Sequence, residues 1–317
     1  MRTRIVIKPI TESFDIYRGP VICLTDFCNM KCSYCSRDCV TEGQRHLPIE
    51  KVKEVIAFFS EKKLAGTKYV QFTGGEIFVY PDIFTAIEYA LEKGFICRLQ
   101  TNGILLRKAV KERPDLLSHP SVVIKVSLDG WDKKTNGHYR GAKTFTPTVK
   151  GIEAALSVNP NVGIKTVIHE RNFIEIWKML DLCLDLGVKG WTYNTLMLRG
   201  RATHGTSVNE IAVTKKLIPK YNQVKYCRLL NGSNVQVYHW MNACGKKSLP
   251  PYFFVMNDGD VFVTDRLIPE RKIGSVFNTD LDEQFCAEKV LNKVNLTVSD
   301  ELLRYVSSHL RVEIEKQ

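Results

Sequence analysis

The sequence predicts an α/β fold built on parallel strands, and three observations carry that expectation. Between about residues 20 and 200, six short β-branched runs alternate with amphipathic stretches of helical length. The chain between successive runs suits a right-handed crossover between parallel strands. Apolar residues make up 44% and charged residues 25% of the 317, ordinary for a globular chain, so disorder, collagen and coiled coil are poor readings of the bulk. Such repeats build either an open doubly wound sheet or a barrel. Both place ligand loops at the carboxyl ends of the strands.

The elements follow in order. Val21–Thr25 reads as a strand, and Ile49–Leu64 as a helix begun by Pro48. Tyr69–Thr73 is a strand, and Pro81–Lys93 a helix stopped by Gly94. Phe95–Gln100 is a strand, followed by a helix near Leu105–Glu112. Val122–Ser127 is a strand and Thr146–Val158 a helix. Val162–Ile168 is a strand, Ile174–Leu186 a helix stopped by Gly187, and Trp191–Leu196 the sixth strand. The character changes after Gly200. A helix is expected around Ile211–Val224 and a loop at residues 231–234. A hairpin should run from Tyr252–Met256 through an Asp258-Gly259 turn to Val261–Thr264, and a last helix spans about Ser299–Leu310.

The formal charge is 45 − 34 = +11, which favours anionic partners. Lys and Arg are scattered rather than clustered, so a solvated basic surface is the preferred reading and nucleic-acid binding is not expected. No apolar run approaches the ~18–20 residues of a membrane span. The first fifteen residues lack a signal-peptide core, so no membrane association and a cytoplasmic location are expected.

Ten cysteines without a secretory signal argue against a disulfide framework. Cys28, Cys32 and Cys35 stand at spacings of four and three residues after the first strand. Thiolates so spaced converge if the loop wraps a metal centre, and soft thiolates select zinc, copper(I) or iron–sulfur clusters. Three ligands leave a four-iron cluster one short, with an iron open to substrate or cofactor. A zinc knot, and a closed cluster using Cys39 as fourth ligand, are the alternatives.

With Tyr34 before the last cysteine, this C-x3-C-x2-C loop resembles the signature of the radical S-adenosylmethionine (SAM) superfamily. Further elements fall in that family's order: Thr73-Gly74-Gly75-Glu76, Thr101-Asn102-Gly103, Ser127-Leu128-Asp129-Gly130, His138-Tyr139-Arg140-Gly141 and Arg199-Gly200-Arg201-Ala202. The resemblance covers about residues 20–200. It implies a partial (β/α)6 TIM-like barrel over residues 1–205 with one [4Fe-4S] cluster on Cys28, Cys32 and Cys35. The open iron would bind SAM, whose reductive cleavage gives a 5′-deoxyadenosyl radical that abstracts a substrate hydrogen. An electron donor such as flavodoxin or ferredoxin is then implied. Gly74 and Gly75 would let the backbone approach a ligand. Glu76 would accept from the methionyl ammonium, and Arg140 would pair with its carboxylate. Asn102 is placed among the cofactor contacts. Ser127 and Asp129 would bond ribose hydroxyls or the amino acid end, while Tyr34 and the backbone near Leu196 would face adenine. Ile77 departs from the Pro often found there.

Residues 206–317 resemble the small α+β SPASM/twitch extension of one branch, in degenerate form. Cys244 is followed at the family's spacing by Gly259, but Thr264 stands where the pattern asks for a second cysteine, and no late C-x2-C follows. A hydroxyl does not replace a thiolate on a soft cluster. The tail is therefore expected to lack an auxiliary cluster, with Cys227, Cys244 and Cys286 as ligands in the alternative. It would cap the barrel and bring Cys244 to the substrate as a hydrogen donor. Peptide maturation is the expected function. Only 22 residues precede Cys23, so a leader peptide would dock directly or through a separate binding protein. The alternatives are oxidation or epimerisation of a sugar- or aminoglycoside-like molecule, and a non-catalytic cluster-bearing sensor.

Overall fold

A computed structural model of the chain describes residues 19–43, 45–61, 69–173, 175–196, 200–205, 236–239, 252–264 and 271–277. The expected helices at 211–224 and 299–310 lie outside these, as do Cys227, Cys244 and Cys286. The described strands are β1 (Val21–Cys23), β2 (Tyr69–Thr73), β3 (Ile96–Thr101), β4 (Val122–Ser127), β5 (Val162–Ile168), β6 (Gly190–Thr195), β7 (Gln236–His239), β8 (Tyr252–Val255), β9 (Asp260–Thr264) and β10 (Arg271–Ser275). The helices are α1 (Ile49–Glu61), α2 (Ile83–Glu92), α3 (Leu106–Glu112), α4 (Pro114–Leu117), α5 (Lys133–Arg140), α6 (Phe145–Leu156), α7 (Glu170–Phe173), α8 (Trp177–Leu186) and α9 (Ala202–Gly205).

The strands form one sheet in the order β10-β9-β8-β1-β2-β3-β4-β5-β6-β7. From β1 to β7 the neighbours are parallel and follow chain order. A doubly wound sheet needs a reversal of strand order, and this run has none, which decides between the two α/β architectures. With every crossover of one hand, the helices collect on one face and the other face lines a barrel interior. β7 and β10 are the two ends of the sheet, so the barrel is open among the described residues.

Strand periodicity sorts the two faces. Val70 and Phe72 of β2, Leu99 of β3, Ile124 and Val126 of β4, and Ile164 of β5 join one buried core with the apolar faces of α1, α2, α3, α6 and α8. The intervening positions Gln71, Arg98, Gln100, Lys125, Ser127, Lys165, Thr192 and Asn194 occupy the inner face.

The hairpin forms as its turn chemistry requires. β8 and β9 are antiparallel, Gly259 N–H donates to Met256 O and Met256 N–H to Asp260 O. Its placement departs from the expected cap. β8 pairs in parallel with β1, so the hairpin extends the barrel sheet, with β10 added beyond β9. β1 is only three residues long, and this pairing satisfies an edge that would otherwise be open.

The helix α5 has no counterpart in the sequence reading. Its residues, KKTNGHYR, carry little apolar periodicity. The Asp132 side chain caps it by accepting from Thr135 N–H at 2.6 Å, and Gly141 ends it. A four-residue helix, α7, also separates β5 from α8, so the expected helix from Ile174 begins at Trp177.

Candidate active site at the carboxyl ends of the strands

The loop after β1 gathers its thiols. Cys28 and Cys39 are buried with Met30, and Cys32, Cys35 and Ile104 pack against them. Burial pushes the Cys28 thiol up to about 11, helped by the negative charge of Glu76, and burial also raises Cys32. Cys39 hydrogen-bonds Cys35 and lowers it. A cationic centre reverses the burial penalty, because thiolate ligands lose their protons to it. Among the described residues no three His, Cys, Asp or Glu side chains are arranged around a single metal ion. Four soft donors in one loop fit a larger thiophilic group such as an iron–sulfur cluster. Cys39 lies within the same knot, so geometry does not separate it from the other three.

The loop after β2 explains its glycines in an unexpected way. Gly74 has φ +140°, and a Cβ there would lie 2.4 Å from Thr25 O. A Cβ on Gly75 would lie 2.0 Å from Phe27 O. Gly75 and Glu76 donate their backbone N–H groups to Thr25 O and Phe27 O at 2.8 and 2.9 Å. The close approach is therefore to the stem of the cysteine loop.

Glu76 is fully buried. It accepts from Thr101 Oγ1 at 2.6 Å, Asn102 N–H at 2.7 Å and Phe78 N–H at 3.2 Å. Burial raises its pKa while these donors oppose the rise. Asn102 in turn donates to Asn29 Oδ1 at 2.7 Å and approaches Cys28 Sγ at 3.8 Å. Carboxylate and cysteine loop are thus joined through one residue, whose backbone N–H meets Glu76 and whose side chain meets the loop.

Asp129, just past β4, accepts from Tyr34 Oη and Arg140 Nη1 on one oxygen and from Val167 N–H at 2.8 Å on the other. Arg140 also donates to Tyr34 Oη at 2.8 Å, and the Arg140–Asp129 pair at 3.3 Å is buried on both sides. Three expected cofactor contacts therefore bind one another and tie α5 to the cysteine loop. Tyr34 also packs with Tyr139, Leu196 and Ala202 in a small apolar cluster. That places the two expected adenine neighbours together. Ser127 sits half-buried at the end of β4, in register with Lys165.

Two side chains at the site, Asn172 and His169, escaped the sequence reading, and a third, Arg201, stands in the Arg199-Gly200-Arg201-Ala202 element to which no role was assigned. Arg201 donates to Cys32 O at 2.9 Å, Cys39 O at 2.7 Å and Asp38 Oδ1 at 2.9 Å, gripping both ends of the cysteine loop. Gly200 permits this: a Cβ there would lie 2.4 Å from Cys35 O. Asn172 holds Asp129 O and Val167 O through its amide nitrogen. His169 is buried against Tyr139 with ring centroids 4.5 Å apart, and its Nε2 has no hydrogen-bond partner among the described residues. Burial holds its pKa down to about 4, so it is neutral. The available signal was position: all three follow the carboxyl end of a strand, where ligand groups collect.

The chain is similar to known proteins in a way that agrees with this geometry. The model of the Radical SAM superfamily matches residues 22–200. The antilisterial bacteriocin subtilosin biosynthesis protein AlbA of Bacillus subtilis is 30% identical over 174 residues, 54% of this chain and 38% of that protein. The mycofactocin maturase MftC of Mycobacterium tuberculosis is 26% identical over 247 residues, 76% of this chain and 56% of that protein. The match therefore spans less than two thirds of either relative. Among solved structures, Streptococcus suis SuiB bound to S-adenosylmethionine superposes with a TM-score of 0.68 at 16% identity, covering 90% of this chain and 69% of that one. Native anSMEcpe with bound AdoMet gives 0.68 at 18% identity, covering 92% and 87%. These identities speak for the fold, a partial barrel of the α/β class. The family brings SAM and an iron–sulfur cluster, and the cysteine loop has donors suited to the latter. The family model covers more than half of the residues, so the chain belongs to the Radical SAM superfamily.

Proposed function

We propose that the protein is a radical SAM enzyme that modifies a peptide, with one [4Fe-4S] cluster held by Cys28, Cys32 and Cys35. The observation that carries this reading is the joining of the cysteine loop to Glu76 through Asn102 and to Arg140 through Tyr34. When bound, cluster and SAM together supply a 5′-deoxyadenosyl radical from reductive cleavage of the C5′–S bond. The chain's own task is to hold and orient. Glu76, fixed by three donors, presents a carboxylate to an ammonium. Arg140, fixed by Asp129 and Tyr34, presents a guanidinium to a carboxylate. The apolar patch of Tyr34 and Leu196 offers an adenine-sized surface, and Arg201 keeps the cysteine loop closed over the rim. A peptide substrate is supported by the names of the relatives, a bacteriocin biosynthesis protein and a maturase, and by structures of SuiB with its precursor peptide SuiA and of anSMEcpe with a peptide.

A second reading, a small-molecule substrate, is favoured by an AdoMet-dependent heme synthase of Methanosarcina barkeri. It is 30% identical over 190 residues, 59% of this chain and 52% of that protein.

Anaerobic reconstitution with iron, sulfide, reductant and SAM tests the proposal. The expected result is about four irons per chain and release of 5′-deoxyadenosine. Cys28→Ala should abolish both, and Cys39→Ala should leave both. Absence of 5′-deoxyadenosine overturns the enzyme reading. Loss of iron in Cys39→Ala overturns the three-ligand assignment. A variant lacking Cys28, Cys32 and Cys35 that keeps about four irons would place a cluster in the tail, among Cys227, Cys244 and Cys286.

A further inference from the structure

Three carbonyls of the cysteine loop are held by one residue, Arg201. Its backbone N–H donates to Cys35 O at 3.0 Å, and its side chain donates to Cys32 O and Cys39 O. Gly200, at φ +55°, and Asp38, at φ +52°, take left-handed conformations where the two segments meet. A Cβ on Gly200 would lie 2.9 Å from Asp38 N, so the approach is close. The residues gripped in this way belong to the knot of thiols itself.

Fastening the loop leaves two features of this side chain without a use. The first is its charge. A guanidinium stays ionised at any working pH. Among the described residues its ion pair is with Asp38, whose side chain is 66% exposed against 21% for Arg201. Water screens so exposed a partner, and much of the positive charge is left to act on the loop. The second is a donor. Arg201 Nη2 is buried with no hydrogen-bond partner among the described residues, although Nε and Nη1 of the same guanidinium are bonded to Cys32 O and Cys39 O. A buried, charged N–H without an acceptor is costly, and such a group in a folded chain calls for an acceptor. A thiolate-held iron–sulfur cluster brings anionic sulfur to this loop, and its potential responds to nearby charge and to N–H groups on sulfur.

We propose that Arg201 sets the reduction potential of the cluster: its fixed positive charge, with the Nη2 N–H kept for a sulfur acceptor, favours the state that holds one more electron. This rests on the iron–sulfur reading of the cysteine loop and adds to it a residue that supplies no ligand. One electron enters from an added reductant, and no bond is made or broken.

Redox titration of the reconstituted full chain, followed by electron paramagnetic resonance without SAM, tests this and needs no turnover. Iron content is measured for each sample. Arg201→Gln should lower the midpoint potential by about 59 mV or more, which is about tenfold in a one-electron equilibrium. Arg201→Lys keeps the charge and should recover most of that shift. Asp38→Asn removes the counter-charge and should move the midpoint upward, by about twofold in the same equilibrium. Asn tolerates a left-handed φ and leaves the bonds of Arg201 to Cys32 and Cys39 in place, so this variant decides the matter if Arg201→Gln takes up no iron. Equal midpoints in wild type, Arg201→Gln and Asp38→Asn overturn the inference and leave the cluster reading intact. The same downward shift in Arg201→Lys and Arg201→Gln overturns it too, because the fastening and not the charge would then set the potential. A wild type that takes up no iron overturns the cluster reading and this inference with it.

Discussion

Two faces of the same strands obey opposite rules. Ile124 and Lys125 are chain neighbours on β4; one joins the apolar core and the other lines the barrel interior. The outer face is filled by Val70, Phe72, Leu99 and Val126 against helices, so nearly every atom there contributes to stability. The inner face has glutamines, lysines and glycines where packing would favour aliphatic side chains, and Gln71, Gln100, Lys125 and Lys165 are only half-buried. Folding is thus delegated to one face and chemistry to the other, and the rim residues join the two.

That contrast can be broken in three places, each read by urea denaturation. Phe72→Ala, on the outer face, should cost about 3–5 kcal/mol through lost burial and a cavity. A cost below about 1 kcal/mol would mean that the helices do not rest on that face. Glu76→Ala, at the rim, should cost about 2–3 kcal/mol, because the Thr101 hydroxyl and the backbone N–H groups of Asn102 and Phe78 lose their buried acceptor. Unchanged stability would show that water replaces the carboxylate. Lys125→Met, on the inner face, should instead stabilise by about 1–2 kcal/mol near neutral pH.

The sign of the last effect follows from protonation. Burial and neighbouring cations hold Lys125 down to about 7 in the folded chain, against 10.5 ordinarily. Between those values the unfolded chain binds more protons, so the wild type gains stability as pH rises. The advantage of Lys125→Met is therefore largest below pH 7 and fades toward pH 10.5. A constant difference across that range would detach the effect from this ammonium.

Much of this was legible in the residues. Period-2 alternation in Ile124-Lys125-Val126-Ser127 announces a strand with one polar face, and the bounds of β2, β4 and β5 agree to the residue. The cysteine spacing and Gly74-Gly75-Glu76 marked the rim, because these residue types have few other uses in that order. The partners of those residues were not legible. Nothing local tells that Gly75 gives way to Phe27 O, or that Arg140 spends Nη1 on Tyr34 and Asp129, since both are contacts across a closed fold. Nor does sequence order reveal that the hairpin after β7 returns to the edge of β1. The helix α5 was hidden for a different reason: it is held by a cap and its tertiary contacts rather than by an apolar stripe.

The grip of Arg201 has a consequence for the order of events during synthesis. The cysteine loop is finished by residues 28–39, but the side chain that fastens it stands more than 160 positions later, at Arg201. A ribosome releases ~5–20 residues per second, and contacts so distant along the chain form late. The thiols are thus exposed for the whole time that β2 to β6 are being made, and oxygen or a stray metal meets an unfastened loop. Iron–sulfur insertion is best timed after Arg201 has emerged and docked, so the end of the barrel half acts as a clasp on its beginning.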